Sequence, residues 1–577
     1  MTTSTIAQSK GGAFLLESLT PEQIFTPEDF TAEHRSIAKT TDEFFRKEIA
    51  PNAEAIRHGD HPVCLKIFKK SAELGLAAVV VPEEYGGMEM DLTSAMIVAE
   101  GIASEGSYSA WHGAHTGIGT LPLLMFGTPE QKKKYLPKLA SVELLAAYCL
   151  SEPQAGSDAL AARTRADLSE DGTHYVLNGQ KMWITNGGYA DFFTVFAKVG
   201  GEKFTAFLVE RAYTGVTPGA EEKKMGIKGS STTAIYLDNV KVPVENVLGE
   251  VGRGHIIAFN ILNLGRLKLG PFAVGGCKAV LATSIHYAKE RKAFGKSIAE
   301  FGMIQHKLAE MAIRLYAAES MAYRVVGMID ATLAGHTWQE PDYAKRMLKS
   351  VEEFAAECSF IKVAASEALD YIVDEGVQVH GGYGFHQDYA VEHAYRDSRI
   401  NRIFEGTNEI NRMLATGWLL KKAQKGELGL VEAVKKLTAE VMAGPSTDSL
   451  VNNAKKVALL TLGIAFQKYL TALDQQQEVL AGLNDIMMAA FAMESVSLRT
   501  QKNPSPQKYE MTAVFLGQSM EQIEASARAI IANASEGDTQ RMNLTILKRL
   551  TKHEPVDAIS VRHSIAGRLI AAGKYTL

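Results

Sequence analysis

The sequence has few cysteines for its length and no large excess of charge of either sign. Four cysteines occur in 577 residues, and no two of them form a Cys-x-x-Cys pair. Their spacing argues against zinc and thioredoxin-like motifs and indicates reduced thiols in an intracellular protein. The formal net charge of -5 argues against a dedicated nucleic-acid-binding protein.

Long apolar runs and the common cofactor motifs are missing too. No run of about 18 apolar residues occurs and Met1 to Lys10 lacks the features of a secretory signal, so we expect a cytoplasmic protein without a transmembrane helix. The patterns GxGxxG, HExxH and GxSxG are absent. Gly295-Lys296-Ser297 imitates the end of a P-loop but lacks the glycine required five residues earlier. Any cofactor must therefore be held by another scheme.

Hydrophobic patterning divides the chain into helical and β-rich parts. A chain of this length exceeds one core, so we expect three to four domains. The segment 146–255 is rich in Thr, Val, Tyr and Phe, which is typical of strands, and helical spacing flanks it on both sides. Asn178-Gly179 predicts a hairpin turn and Asp238-Asn239 a second turn. The predicted units are an arm (1–30), a helical domain (31–145), a β domain (146–255), a helical domain (256–425) and a helical extension (426–577). The predicted class is α+β.

Three segments carry candidate chemistry. In 148–158 a strand ends in a loop with Pro153 and Gly156, where backbone N–H groups could approach a flat polar ring or a phosphate; an ordinary strand exit is the alternative. In 181–187 a tryptophan stands two residues before a threonine, and such a tryptophan is also compatible with plain core. In 395–409, Glu405 lies between an aromatic residue and a glycine. Desolvation there would raise its pKa toward that of a general base, although a capping or surface glutamate is the alternative.

These segments, together with 290–295 and 378–385, occur in the order and spacing of the acyl-CoA dehydrogenase family. The resemblance covers roughly residues 30–420. The helical extension and the stretch 260–266 are most similar to the very-long-chain branch. The family implies an N-terminal helical domain, a middle β-barrel-like domain and a C-terminal four-helix bundle, to which this chain adds a helical domain.

The resemblance implies FAD as the cofactor and no metal. The implied FAD contacts are Tyr148, Leu150, Ser151, Gly156, Ser157, Trp183, Ile184, Thr185, Arg291, Phe294, Gln305, Gln378, Gly381, Gly382, Thr407 and Glu409. Trp183 would pack on the flavin ring and Thr185 would bond its N5 atom. Arg291 and Phe294 would come from one subunit, and Gln378 and the two glycines from its neighbour.

The resemblance also implies a substrate site and identifies Glu405 as the base. Some branches place the base on another helix, but here that helix holds 260–266, which contains no acid. Arg266 matches the family's arginine near the CoA part of the substrate. The remaining implied substrate contacts are Ser157, Phe404, Gly406, Ala110, Gly113 and Ala114. The small side chains at 110, 113 and 114 leave a deep slot, which favours long acyl chains.

The implied reaction is α,β-dehydrogenation of a fatty acyl-CoA in fatty acid β-oxidation. Glu405 would remove the pro-R Cα proton while the β-hydride passes to flavin N5, which gives a trans-2-enoyl-CoA. The thioester oxygen would accept hydrogen bonds from the N–H of Glu405 and from the FAD ribityl 2′-hydroxyl. Electron-transfer flavoprotein is the expected electron acceptor. We expect a homodimer, because the extension would occupy the surface through which simpler members form tetramers. An acyl-CoA oxidase and an FAD-bearing assembly protein of the same fold remain alternatives.

The start of the extension has an amphipathic pattern. Leu430, Val434, Leu437 and Val441 share one helix face, and lysines lie mostly off it. Such a helix could make a weak peripheral contact with the inner face of the membrane. The alternative is that this face packs on the protein's own helices.

Overall fold

The computed structural model describes residues 6, 9–443 and 448–577 of the chain. The N-terminal arm forms short 3-10 turns (Ala13–Leu15, Pro21–Gln23, Pro27–Asp29). The first helical domain follows. Its helices are α1 (Ala32–Phe44), α2 (Ala53–Arg57), α3 (His61–Glu73), α4 (Leu92–Gly101), α5 (Gly106–Ala114), α6 (Leu121–Phe126) and α7 (Pro129–Ala140). Thr31, Asp60, Asp91, Glu105 and Thr128 cap five of these helices by accepting a backbone N–H.

The middle domain is built on one twisted sheet. Its strands are β1 (Ala146–Cys149), β2 (Arg165–Leu168), β3 (His174–Thr185), β4 (Phe192–Val199), β5 (Lys203–Glu210), β6 (Val216–Pro218), β7 (Thr232–Pro243) and β8 (Val247–Leu248). The strand order is β6-β7-β3-β2-β4-β5-β8, and β1 pairs with β4 in parallel. Strand β4 is mostly apolar because both of its faces are buried: Phe192 and Phe196 belong to one core cluster, and Phe193 and Val195 to another.

The two predicted turns in this domain are wrong. Strands β3 and β7 run straight through Asn178-Gly179 and Asp238-Asn239, and they pair antiparallel with a register shift between Leu177 and Gly179. The positive φ angles at Gly179 (157°) and Asn239 (53°) accompany a bulge in the strand pair, where the register shifts, and not a hairpin turn. The backbone N–H of Asn239 donates to Asn178 Oδ1 at 2.8 Å, and a Cβ on Gly179 would lie 2.5 Å from Thr164 Oγ1. Long-range pairing therefore decided the role of this glycine.

The second helical domain begins with one long helix, α8 (Gly254–Glu290), which packs against α9 and α11. The small strands β9 (Lys292–Ala293) and β10 (Lys296–Ser297) follow it, and then α9 (Gly302–Leu333), α10 (Tyr343–Glu353), α11 (Ala355–His380), α12 (Ala390–Ser398) and α13 (Asn408–Gln424). Leu308, Met311 and Leu315 fall on one face of α9 and are fully buried, and Ile304 at the start of that face is half-buried.

The extension consists of helices that pack on this domain. They are α14 (Leu430–Ala443), α15 (Leu450–Tyr469), α16 (Gln477–Lys502), α17 (Pro506–Ala534), α18 (Gly537–Thr551) and α19 (Ala558–Ala572). Buried ion pairs fasten the extension to the rest of the chain. Arg499 on α16 bonds Glu28 of the arm and, at 2.7 Å, Glu319 on α9. Because removing one partner of such a pair leaves a buried charge unpaired, these contacts lock the three parts together.

The amphipathic face at the start of the extension is turned inward. Leu430 and Leu437 lie in the main core cluster and are almost fully buried, and Val434 packs against that cluster. The side chain of Val441 lies outside the described residues. Because protein already covers Leu430, Val434 and Leu437, the structure favours the packing alternative over a membrane contact through this face.

Among the described residues, two helical segments of the extension are long and apolar enough to cross a membrane. They are Leu450–Gln475 and Gln477–Lys502, and 72% of the most apolar stretch in the second is buried inside the protein. A buried core helix passes the same test, so length and composition are weak evidence here. The two segments also share a buried ion pair between Lys455 and Glu494.

Candidate active site

Glu405 lies in a strained loop between α12 and α13. Its φ angle is 56° and that of Gly406 is 79°, so two successive residues adopt the left-handed conformation. Asn411, which is fully buried, holds this loop from one turn into α13. Its Nδ2 atom lies 3.3, 2.8 and 3.0 Å from the carbonyl oxygens of Glu405, Gly406 and Thr407. One amide group thus fixes three consecutive carbonyls and the direction of the base.

Arg266 supports the same loop from α8. Its Nε atom donates to the carbonyl oxygen of Glu405 at 3.2 Å, and its Nη1 atom donates to Asn263 Oδ1 at 2.7 Å. Arg266 is 4% exposed. The resemblance implied that Arg266 contacts the CoA part of the substrate. In the structure its hydrogen bonds with described residues go to the Glu405 carbonyl oxygen and to Asn263, so it holds the Glu405 loop in position.

Helix α8 makes room for the carboxylate through a glycine. A Cβ atom at Gly265 would lie 2.4 Å from Glu405 Oε2 and 2.7 Å from its Cδ. Any side chain at this position would displace the carboxylate. The segment 260–266 of this helix contains no acid, and at Gly265 it has no side chain either. The Glu405 side chain fills the space that this leaves.

The surroundings of Glu405 prepare it to accept a proton. Burial raises the pKa of Glu405 to about 7, and Arg266, Lys362 and Lys268 oppose this rise. Its Oε2 atom is buried and has no hydrogen-bond partner among the described residues. Lys362, whose pKa burial lowers to about 7, donates to Asn408 Oδ1 at 2.6 Å beneath the loop. The predicted upward shift of the Glu405 pKa is confirmed.

These charges predict how activity depends on pH. Glu405 accepts a proton only when ionised, so kcat/KM should fall about tenfold per pH unit below pH 7. Lys362→Met removes a cation that lowers the pKa of Glu405, and this acid limb should then move to higher pH. The pH profile of the variant is to be compared with that of Lys349→Met, which removes an exposed lysine on α10. A limb that shifts equally in both variants would contradict the assignment.

Glu405 lies in the wall of a deep, mostly apolar cavity between the two helical domains and the sheet. Leu92, Met96, Leu121, Leu264, Leu269 and Phe272 supply much of its lining. The structure brings together in this cavity several residues that the sequence predicts: Glu405, Phe404, Thr185, Ala110, Gly113 and Ala114. A Cβ on Gly113 would meet no atom within 4 Å, so this position borders open space. The shape of this cavity and its apolar lining suit a substrate that has a long apolar part and whose reacting end lies at Glu405.

Comparison with known proteins identifies the arrangement. Family models described as acyl-CoA dehydrogenase N-terminal, middle and C-terminal domains match residues 31–143, 147–240 and 252–420, and a further C-terminal domain model matches 453–549. A probable acyl-CoA dehydrogenase of Bacillus subtilis is 49% identical over 98% of both chains. The chain belongs to the acyl-CoA dehydrogenase family. The predicted fold class is confirmed as well.

Two further acyl-CoA dehydrogenases bear on the details. The crystal structure of the enzyme from Bacillus anthracis complexed with FAD superimposes with a TM-score of 0.97 at 49% identity and covers 99% of this chain and 100% of that chain. The mitochondrial very long-chain specific acyl-CoA dehydrogenase of Rattus norvegicus is 45% identical over 59% of this chain and 51% of its own length. The chain thus spans about half of that relative.

Among the residues predicted for the flavin end of FAD, Thr185 is the one that lines the cavity. Strand β1 ends just before Leu150 and Ser151, and Tyr148 is buried with a pKa that burial and then the Glu405 carboxylate raise. Ile184 is buried, and Thr185 lines the cavity with Glu405. Trp183 is 57% exposed at a φ of 60°, an open aromatic surface that a flat ring could cover. Gly156 and Ser157 follow on an exposed loop, and a Cβ on Gly156 would meet nothing within 4 Å.

The second predicted set lies elsewhere and corrects one expectation. Arg291, Gly381 and Gly382 line one groove of the same chain, with the Arg291 guanidinium 5.5 Å from the centre of the Tyr383 ring. They meet because the ends of α8 and α11 pack together, where the Tyr287 and His380 rings stack at 4.0 Å. The arginine and the glycines were expected from different subunits; the fold places them side by side. Phe294, at a φ of 50°, is 95% exposed, and Gln378 is exposed too.

Three predicted cofactor contacts have other partners or lie open in the structure. Gln305 donates from Nε2 to the carbonyl oxygen of Ala299 at 3.0 Å. Thr407 caps α13, since its hydroxyl accepts the N–H of Ile410 at 3.2 Å. Glu409 is exposed in the first turn of that helix. None of these contacts excludes a role near FAD, but each explains the residue without one.

Sequence reasoning missed four residues of the site. They are Asn411, Gly265, Lys362 and Lys268. Gly265 lies in the acid-free segment 260–266, and its lack of a side chain was the available signal. The other three look like ordinary helix residues, and nothing in their local sequence marks them.

Proposed function

We propose that this protein is an FAD-dependent acyl-CoA dehydrogenase that converts long-chain fatty acyl-CoA to trans-2-enoyl-CoA. The observation that carries the proposal is the buried, unpartnered carboxylate of Glu405 in the wall of an apolar cavity that also includes Thr185. A carboxylate with a pKa of about 7 is matched to removing a proton near neutral pH.

Glu405 and the residues around it have separate roles in this reaction. Glu405 removes the Cα proton, while Asn411 and Arg266 hold its backbone and Gly265 leaves room for its carboxylate. The backbone N–H of Glu405 has no acceptor among the described residues, so it is free to bond the thioester oxygen and stabilise the developing enolate. Bound FAD supplies the acceptor for the β-hydride.

The FAD assignment also supports a homodimer. Roughly 38 Å of helix separates Gly265 from Glu290, since 25 residues of α8 rise about 1.5 Å each. This distance exceeds the length of one flavin dinucleotide, so a single FAD whose flavin lies at the Glu405 end of the cavity cannot also contact the Arg291 groove of the same chain. We infer that the groove serves the FAD of a second subunit. Electron-transfer flavoprotein is the proposed electron acceptor, as is usual in the family.

The experiment for this function is anaerobic reduction of the purified, FAD-replete enzyme. Palmitoyl-CoA should bleach the flavin absorbance, with trans-2-hexadecenoyl-CoA as the product, whereas butyryl-CoA should bleach it far more slowly. Bleaching by butyryl-CoA alone would contradict the long-chain preference. A flavin that no acyl-CoA bleaches would contradict the reaction itself.

The chain-length preference should respond to Gly113. Because a Cβ there meets only open cavity, Gly113→Leu should fill the cavity without distorting α5 and lower kcat/KM for palmitoyl-CoA relative to octanoyl-CoA by about tenfold or more. Gly113→Ala is the matched control, and its profile should change little. The measurement is kcat/KM across a series of acyl-CoA lengths. An unchanged profile for Gly113→Leu would place the end of the acyl chain elsewhere.

A further inference from the structure

A lysine is among the few charged residues that line the mostly apolar cavity. Lys268 is the one lysine or arginine among the described residues that line it. Its Nζ atom donates to Thr116 Oγ1 at 2.5 Å. The Thr116 hydroxyl in turn donates to the carbonyl oxygen of His112 at 2.8 Å, so its oxygen is left to accept from Lys268. The lysine is thus held in a defined position and is not a loose surface chain.

The ammonium group of Lys268 is poorly satisfied by protein. It has three N–H donors, and Thr116 is its one hydrogen-bond partner among the residues that the structure describes. No carboxylate of that part of the chain lies within 4 Å of it. Burial accordingly lowers the pKa of Lys268 to about 8, and the Glu405 carboxylate is the charge that opposes this. A desolvated ammonium with unused donors is costly unless a ligand supplies acceptors.

The position of this pair fits the acyl part of a substrate. Lys268 follows Gly265, which touches the base, by three residues or about 4.5 Å of helix. Thr116 follows Ala114, another cavity-lining residue, by two residues. Both side chains border the same cavity as Glu405. A molecule that presents its Cα to Glu405 can therefore place another of its groups within reach of Lys268.

We propose that Lys268 and Thr116 form a subsite for a carboxylate carried by the acyl chain, so that the enzyme also accepts the mono-CoA thioesters of dicarboxylic acids. A carboxylate offers acceptor lone pairs for the unused N–H donors and makes charge-assisted hydrogen bonds, which are stronger than those to a neutral oxygen. This inference rests on the proposed function, because it assigns the substrate class of that same cavity.

The test compares substrates in the FAD-replete enzyme at a pH below the Lys268 pKa of about 8. kcat/KM is measured for the mono-CoA thioesters of adipic, suberic, sebacic and dodecanedioic acid and for the plain acyl-CoA of equal length. In Lys268→Met, which keeps the volume but removes the charge, kcat/KM should fall about tenfold or more for at least one dicarboxylic substrate. Loss of this cation also raises the Glu405 pKa, so some decrease is expected for the plain acyl-CoA as well, and the carboxylate subsite is measured by the further decrease of about tenfold or more that only the dicarboxylic substrate shows.

Thr116→Val is the second variant. It removes the hydroxyl that orients Lys268 and should produce a smaller loss confined to the same dicarboxylic substrate. An ω-hydroxyacyl-CoA of that length should show a weaker dependence on Lys268 if charge is what is recognised. Equal losses for plain and dicarboxylic substrates in Lys268→Met, or no turnover of any dicarboxylic substrate by the wild type, would overturn the subsite. If the wild type failed on plain acyl-CoA as well, the proposed function itself would fall.

Discussion

Glu405→Gln should leave a yellow, FAD-replete protein with almost no dehydrogenase activity. The amide retains the size of the side chain, but it cannot accept the Cα proton, so kcat should fall by at least about 10²–10⁴-fold. Because the side chain occupies space against Gly265 and its Oε2 atom bonds no described residue, the exchange should cost little stability. The measurement is kcat for palmitoyl-CoA normalised to bound flavin, alongside Tm.

Glu352→Gln is the matched control for this variant. It makes the same chemical change on an exposed side chain of α10. This control should retain most of the activity. Similar losses in both variants would show that the loss is not specific to Glu405 and would withdraw the base from it.

Gly265→Ala should impair the reaction without impairing the fold. Alanine is favoured over glycine inside a helix by up to about 1 kcal/mol, but its Cβ would lie 2.4 Å from Glu405 Oε2. The carboxylate must therefore move, and a displacement of about 1 Å can cost about 10²-fold in rate. We expect a loss of that order in kcat for palmitoyl-CoA, with Tm unchanged or raised.

Gly417→Ala separates helix stability from the effect on the base. Gly417 lies within α13, and an added Cβ would meet no atom within 4 Å. This variant should gain stability and keep its activity. If Gly265→Ala were as active as Gly417→Ala, the contact between Gly265 and the Glu405 carboxylate would have no catalytic meaning.

Local sequence was enough to predict the desolvation of Glu405 but not the contacts that hold its loop. Phe404 and Gly406 flank Glu405, and that short context predicted desolvation and a raised pKa, which the structure shows. The support from Asn411 depends on two successive left-handed residues that turn three carbonyls toward one amide. Arg266 reaches the loop from a helix about 140 residues earlier. Such contacts are set by tertiary packing and leave no local pattern.

The β domain shows the opposite kind of error. Asn178-Gly179 and Asp238-Asn239 are good turn sequences, since asparagine and glycine tolerate positive φ. A bulge in a strand pair requires the same tolerance of positive φ. Strands β3 and β7 contain such a bulge and are paired on both sides of it. The close approach of Thr164 to Gly179 is a long-range contact that local spacing cannot show. The residue preference was therefore recognised and its structural role was misassigned.

Proton removal by Glu405 in the proposed long-chain acyl-CoA dehydrogenase can be measured directly. FAD-replete wild type and Glu405→Gln are mixed anaerobically with palmitoyl-CoA, and the rate of flavin bleaching is followed in a single turnover. We predict rapid bleaching in the wild type, slowed further by deuterium at Cα, and bleaching at least about 10²-fold slower in the variant. Bleaching of the variant at the wild-type rate, with full flavin occupancy in both, would contradict the account.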